Sequence, residues 1–463
     1  MLVLLLSASS FVGVVLLYQV IVQEKNMILY GIITVLLFII CFSSIRLSLI
    51  LLIFSMLLSP EIEIAQTAAR EVTIRFDDLL LSTMTISWIA RMAVFSDLGI
   101  ILKNPLNKPI ITFSTIAVVS TIVGTLYGSV KPIVGLFFVL KIVEYFFLFI
   151  IIVNYVQKEE DIHQLLNSLL IVFGIICLYG LIMVITGGDV SAPFEGEKAE
   201  RNTLGGYLVL MASVAAGVML HTSSRFEKVV IASMLPVFFV VLLFSISRSG
   251  WVSGAAAVLV LFLSTKRKGI FFIMIVTLLL IFPFIIPDVV QERFNFTFFQ
   301  RTSYGGQVHI GPIILDTSSS ARILSWRIVL DKFLQHPILG YGITGFGFID
   351  GQFFRTLIEL GMLGLGAFIW LLVGVHNAIR RAIRIDSSSR LKGMAIGFYA
   401  GFWGLMIHAV TANTFIIVRI AEPFWCLAGL TVIYSLKSMP NSNLKTESIS
   451  NKQKNSAPEI TGG

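Results

Sequence analysis

The run VVIASMLPVFFVVLLFSISRSGWVSGAAAVLVLFLS, residues 229–264, decides how this chain is read. It holds 36 residues and one charge, Arg248, near its centre. A continuous helix of that length would rise about 54 Å at 1.5 Å per residue, against a hydrocarbon core of about 30 Å. The chain must therefore turn inside the run, and the stretch Ser-Arg-Ser-Gly at 247–250 is the only candidate turn. Two short membrane helices result, with Arg248 between them at a membrane surface.

The rest of the sequence agrees with a membrane setting. Of 463 residues, 56% are hydrophobic and only 13% are charged, a balance that excludes an ordinary soluble domain and a disordered chain alike. The three cysteines, Cys41, Cys177 and Cys426, lie inside apolar runs without pairing or metal-ligand spacing, and read as small buried hydrophobes. A net charge of +8 would suggest nucleic acid if it were clustered on one surface, but much of it sits in short loops and in the C-terminal tail. There it orients the protein in a membrane. The first apolar run lacks a basic segment before it and a cleavage site after it, and reads as a retained span.

Apolar runs of roughly spanning length recur fourteen times, at 2–22, 27–43, 46–59, 78–98, 110–128, 132–156, 164–187, 204–221, 229–246, 250–264, 270–287, 353–376, 393–412 and 422–436. The expected fold is an all-α polytopic transmembrane bundle of about 12–14 spans, the shortest of them open to being broken or re-entrant. Two basic clusters fix orientation. Thr-Lys-Arg-Lys at 265–268 and the segment from Arg380 to Lys392 should both be cytoplasmic. Two spans separate them, so the long segment 288–352 becomes one large exoplasmic loop. Counting outward places 60–77, 188–203, 247–249 and 413–421 outside as well, and both termini inside. Residues 1–436 then form the membrane domain, and the polar segment 437–463 reads as a disordered cytoplasmic tail.

The external inventory is rich in arginine: Arg70, Arg75, Arg201, Arg248, Arg293, Arg301, Arg322, Arg327 and Arg419. The positive-inside bias depletes this side, so arginines retained there need a reason, and bidentate binding of phosphate supplies one. Interfacial anchoring or ion pairing is the alternative for each. Arg248 is favoured because Ser249-Gly250-Trp251 opens the next helix and aims free backbone N–H groups at the same place. At the start of the span 204–221, Arg201 and Asn202 stand beside Thr203, whose simpler role is a helix cap.

The end of the long loop carries glycines suited to turns, with Asp350, Gln352, Arg355 and Glu359 leading into the next span. Arg355 and Glu359, four apart, read as a mutual ion pair. Asp350 is placed to act as a base toward a sugar hydroxyl, and His336 competes for that role. Lys141 and Glu144 form a pair inside a span and read as packing, while Asp77 and Asp78 read as a helix N-terminus at the interface. No metal-ligating or nucleotide-binding pattern appears in a fitting context, so neither metal nor cofactor is expected.

At these residues the sequence resembles the O-antigen ligase/polymerase superfamily of bacterial envelope glycosyltransferases. Four marks carry the resemblance: Pro60-Glu61-Ile62 leading to Arg75-Phe76-Asp77-Asp78; Glu200-Arg-Asn-Thr-Leu-Gly-Gly-Tyr207; Ser247-Arg248-Ser249-Gly250; and His336-Pro-Ile-Leu-Gly340 followed by Glu359-Leu-Gly-Met-Leu-Gly364. The resemblance implies a C-type membrane glycosyltransferase in the bacterial cytoplasmic membrane. It would use a polyprenyl-diphosphate-linked glycan donor at the outer face without nucleotide sugar or metal, alongside membrane lipids, with a flippase and a chain-length regulator as further partners. On that reading Arg248 and Arg201 hold the diphosphate while the anomeric carbon is attacked with inversion. Asn202, Ser249, Arg322, Arg327, Gln352 and Arg419 complete the expected substrate-binding set, and Asp350, Arg248 and His336 the catalytic one.

The sequence departs from the ligases in one place. They tend to carry a His-Asn pair about ten residues before the glycines, where this chain has Asp350-Gly351. The expectation is therefore a polymerase of exopolysaccharide or O-antigen repeat units, with a ligase that transfers finished glycan to a lipid core as the alternative. A transporter of lipid-linked glycan and a non-catalytic envelope scaffold are the readings from other classes. A transporter would show charges spread through span interiors and an internal repeat, and no repeat at a fixed period is visible.

Overall fold

The computed structural model describes residues 27–60, 62–66, 71–95, 103–156, 158–194, 200–265, 268–269, 291–292, 307–310, 313–385 and 389–437. In chain order these form α1 (Met27–Ser43), α2 (Ile45–Leu58), β1 (Ile62–Gln66), β2 (Glu71–Ile74), α3 (Phe76–Phe95), α4 (Asn107–Leu126), α5 (Pro132–Tyr155), α6 (Glu159–Thr186), α7 (Arg201–His221), α8 (Arg225–Phe244), α9 (Arg248–Ser264), β3 (His309–Ile310), β4 (Ile313–Ile314), α10 (Thr317–Phe333), α11 (Gln352–Arg384), α12 (Ser389–Thr411) and α13 (Val418–Lys437). The protein is an all-α polytopic membrane protein, its strands confined to two short antiparallel hairpins among the described residues. The runs expected at 2–22 and 270–287, together with Arg70, Arg293, Arg301 and residues 438–463 of the tail, lie outside the described residues.

The other twelve apolar runs each coincide with a helix. Seven helices have the length and apolarity of membrane spans (α4, α5, α6, α7, α8, α11 and α12), while α2 and α9 are shorter. The turn required between 229 and 264 is present. Helix α8 stops at Phe244, Ile246 takes a positive φ of 54°, and the Ser247 hydroxyl accepts the Gly250 N–H at 3.2 Å to cap α9. The Trp251 indole N–H donates to the Leu242 carbonyl at 2.9 Å and closes the hairpin.

Helix α7 lies at the centre, buried along almost its whole length, and packs against α8, α9, α12 and α13. Its tightest neighbour is α12, which presents Gly393, Gly397, Gly401 and Gly404 along one stripe. A Cβ on Gly393 or Gly397 would stand 2.5 or 2.4 Å from an α7 carbonyl oxygen, so small residues let the two backbones touch. Helix α11 is two helices joined at Gly361, where φ is 66° and the backbone of Ile338 and Leu339 passes too close for any side chain.

Contacts at the two ends of the bundle sort the loops. At one end Arg46 pairs with Asp161 at 3.3 Å and Arg390 with Glu227 at 2.7 Å. At the other, Arg248 meets Asp316, Asn413 donates to the Ile349 carbonyl, and Arg419 reaches the Leu57, Ser59, Pro193 and Phe194 carbonyls. The loops expected to share a side do gather at a common end.

Between α3, α5 and α13 lies a buried ion network. Arg75 pairs with Asp77 and lies 3.6 Å from Glu422, while Lys141 pairs with Asp78 and lies 3.9 Å from Glu144. The Ser59 hydroxyl donates to Asp77 at 2.8 Å. The partner that Lys141 holds closest is thus Asp78 on another helix, not Glu144 on its own. Asp77 and Asp78 do open α3, and they also face cations inside the bundle, which ties three helices by charge.

Candidate functional site

Helix α10 organises the polar groups at the end of the bundle that carries the 247–249 turn. Asp316 caps it, accepting the Ser319 N–H at 3.2 Å in the manner of a short acidic N-cap. Asp316, Ser319, Arg322 and Trp326 then follow at spacings of three, three and four, which sets them on one helix face. That face joins two other parts of the chain. Arg248 Nη1 lies 2.9 Å from Asp316 Oδ1 and donates to the Ser319 hydroxyl at 3.4 Å. Arg322 Nε lies 3.3 Å from Asp350 Oδ2, and the Trp326 indole N–H donates to the Asp350 carbonyl at 2.8 Å.

The turn around Arg248 is fixed from behind by Asn202 at the start of α7. Its Oδ1 accepts both the Ser249 hydroxyl at 2.7 Å and the Ser247 hydroxyl at 3.0 Å. Helix α7 comes this close because Gly205 lies against the turn: a Cβ there would stand 2.8 Å from Ser247 Oγ. The Asp350 loop is fixed by the segment between α12 and α13. The Gln352 N–H donates to the Ala412 carbonyl at 3.1 Å, the Asn413 amide to the Ile349 carbonyl at 2.9 Å, and the Phe415 N–H to Gln352 Oε1 at 3.0 Å.

The electrostatics follow from these pairings. Burial pushes the Asp316 carboxyl up, but hydrogen bonds from Arg248 and Ser319 and the Arg248 charge outweigh it and hold the carboxyl below its ordinary value. A carboxylate steadies each arginine and keeps a long cationic side chain in place. Among the described residues only Nε of Arg322 is engaged, leaving its two terminal nitrogens for a ligand. The Arg248 guanidinium, brought to the α10 face by Asp316, and the Arg322 guanidinium on that face suit a ligand that carries two phosphates.

The expected site residues do not all meet. Arg248, Asn202, Ser249, Arg322 and Asp350 come together around α10. Gln352 is 4% exposed, and its amide is spent on Phe415 and Thr356, so it braces the Asp350 loop. Arg201 pairs with Asp189 at 3.2 Å on an open surface, where such pairs are weak. Arg327 is exposed on α10. His336 packs its ring against Tyr341 at 4.5 Å and Tyr127 at 5.9 Å, and its ring nitrogens make no hydrogen bond among the described residues. Arg419, 1% exposed, donates to backbone carbonyls of two segments, 57–59 and 193–194, and ties them to the start of α13. Arg355 and Glu359 pair with each other at 3.2 Å, as their spacing implied.

Sequence reasoning missed Asp316, Ser319, Trp326 and Asn413. For Asp316 a signal existed, since Asp316-Thr-Ser-Ser before a helical stretch is a cap pattern. Nothing local marked it as the partner of Arg248, 68 positions earlier by numbering.

A family model described as O-antigen ligase matches residues 232–369, a segment that contains Arg248, Asp316, Arg322 and Asp350. No protein with curated annotation matches the chain. The resemblance read from the sequence is borne out over that segment.

Proposed function

We propose that this chain, whose residues 232–369 match a family model described as O-antigen ligase, is a membrane glycosyltransferase that polymerises polyprenyl-diphosphate-linked repeat units at the outer face of the cytoplasmic membrane. The observation that carries the reading is the single face of α10 on which Asp316 holds Arg248 and Arg322 meets Asp350. Arg248 and the terminal nitrogens of Arg322 bind the donor diphosphate. Asp350, beside Arg322, accepts the proton of the acceptor hydroxyl as its oxygen attacks the anomeric carbon. The bond from that carbon to the diphosphate oxygen breaks with inversion, and the electron pair leaves on a diphosphate whose charge the fixed arginines stabilise. No step calls for a metal.

Ligation of finished glycan to a lipid core is the second reading, supported by the description of the matched family. Asp350 in the position where the ligases tend to carry histidine favours polymerisation. The test is the length distribution of glycan in cells lacking the gene and complemented with wild type or Arg248→Ala at matched protein level. Single repeat units on carrier lipid support a polymerase, and long chains stranded on carrier support a ligase.

A further inference from the structure

His408 lies near the outer-loop end of α12, one turn beyond Gly404 on the stripe that faces α7. It is fully buried. Gly206 makes the room, since a Cβ there would stand 3.2 Å from His408 Cε1. The ring Nδ1 and the Thr414 hydroxyl are 2.8 Å apart. The Gly206 contact sets the imidazole against the first turns of α7, four residues from Asn202, and Nε2 makes no hydrogen bond among the described residues. A buried imidazole with one nitrogen left over is costly in a span unless its placement serves something.

What surrounds it gives that placement a purpose. Asn202 holds Ser247 and Ser249 on either side of Arg248. Thr414 belongs to the short segment whose Ala412, Asn413 and Phe415 hold the Asp350 and Gln352 loop. His408, packed on Gly206 of α7 and bonded to Thr414, therefore stands between the helix that carries Asn202 and the segment that holds the Asp350 loop. Neither residue is marked by the sequence patterns that point to Arg248 or Asp350.

We propose that His408, bonded to Thr414, is a positioning residue that sets Asn202, and through it the Arg248 turn, in register with the Asp350 loop. The inference rests on the reading of this end of the bundle as a lipid-diphosphate site. His408 touches no reacting atom. It fixes the spacing between the cation that holds the diphosphate and the carboxylate that serves the acceptor, a distance on which transfer depends steeply.

The test uses the full-length purified protein in nanodiscs, with undecaprenyl diphosphate and undecaprenol as probes. His408→Gln and Thr414→Val are compared with Arg248→Ala, Asn202→Ala and the double variant of His408→Gln with Asn202→Ala. The expected result is that His408→Gln and Thr414→Val each weaken undecaprenyl diphosphate binding by about tenfold. Undecaprenol binding should stay unchanged, and the double variant should be no weaker than Asn202→Ala alone. Equal loss for both lipids, losses that add in the double variant, or unchanged diphosphate binding would each overturn the inference. If Arg248→Ala also leaves diphosphate binding unchanged, the functional reading fails with it. If Arg248→Ala weakens binding and His408→Gln does not, the positioning role alone is wrong.

Discussion

Arg248 and Asp316 stand 2.9 Å apart, joining the turn between α8 and α9 to the first residue of α10's cap. The carboxylate does two things at once, since it also accepts the Ser319 N–H. Arginine position and helix start are thereby set by one side chain.

Substitution at Asp316 should separate these two duties. Asparagine caps helices about as well as aspartate, whereas alanine costs about 1 kcal/mol at such a position. Asp316→Asn should therefore keep most of the thermal stability and still lose glycan chain growth, and Asp316→Ala should lose both. A melting curve and a glycan gel on the same two variants check this. Equal melting losses would mean that the charge, not the cap, dominates.

The same carboxyl gives a pH dependence with a defined sign. Its value in the folded protein lies below its ordinary one, so its contribution to stability is complete above the ordinary aspartate range. That contribution is lost as pH falls through the lower folded value. Acidification below the ordinary range should reduce the melting temperature of wild type more than that of Asp316→Asn. Parallel curves for the two proteins would show that the Arg248 contact contributes nothing to this response.

Asp350→Asn keeps an oxygen for Arg322 and the backbone bond to Trp326 but removes the base. Transfer should fall by about 10²-fold or more, the range for loss of general-base catalysis, with binding of undecaprenyl diphosphate retained. Transfer at wild-type rate in membranes holding Asp350→Asn would remove the residue from the chemistry. His336→Phe, by contrast, should transfer at close to the wild-type rate, because the ring's contacts are with Tyr127 and Tyr341.

Arg419 should behave as a structural residue. Its removal leaves buried carbonyls of Leu57, Ser59, Pro193 and Phe194 without their donor, at about 1–3 kcal/mol for each group left unmet. Arg419→Met should lower the melting temperature by several degrees and reduce folded yield, by more than Arg248→Ala does. Thermal unfolding of the two variants in the same detergent decides between the roles.

What the sequence revealed and what it hid divide along a physical line. A turn inside 229–264 was forced by length alone, and the apolar runs gave twelve helices because burial in lipid is a local demand on each segment. The pairing of Arg355 with Glu359 was legible because four residues make one helical turn. The partners of Arg248, Lys141 and Arg419 were not, because they come from distant segments or from backbone carbonyls that leave no mark in composition. His336 and Gln352 looked available for the same reason: their neighbours, Tyr127 and Phe415, arrive only through tertiary packing. The cap pattern Asp316-Thr-Ser-Ser in the large loop was passed over, and the face that its helix presents to both arginines exists only in three dimensions.

The most direct measurement of the central claim is glycan length in cells lacking the gene, complemented at matched protein level with wild type or Arg248→Ala. Wild type should restore long chains, while Arg248→Ala should leave single repeat units on the carrier lipid. Full restoration of chain length by Arg248→Ala would contradict the account, and would make the Asp316 contact a brace for a loop and nothing more.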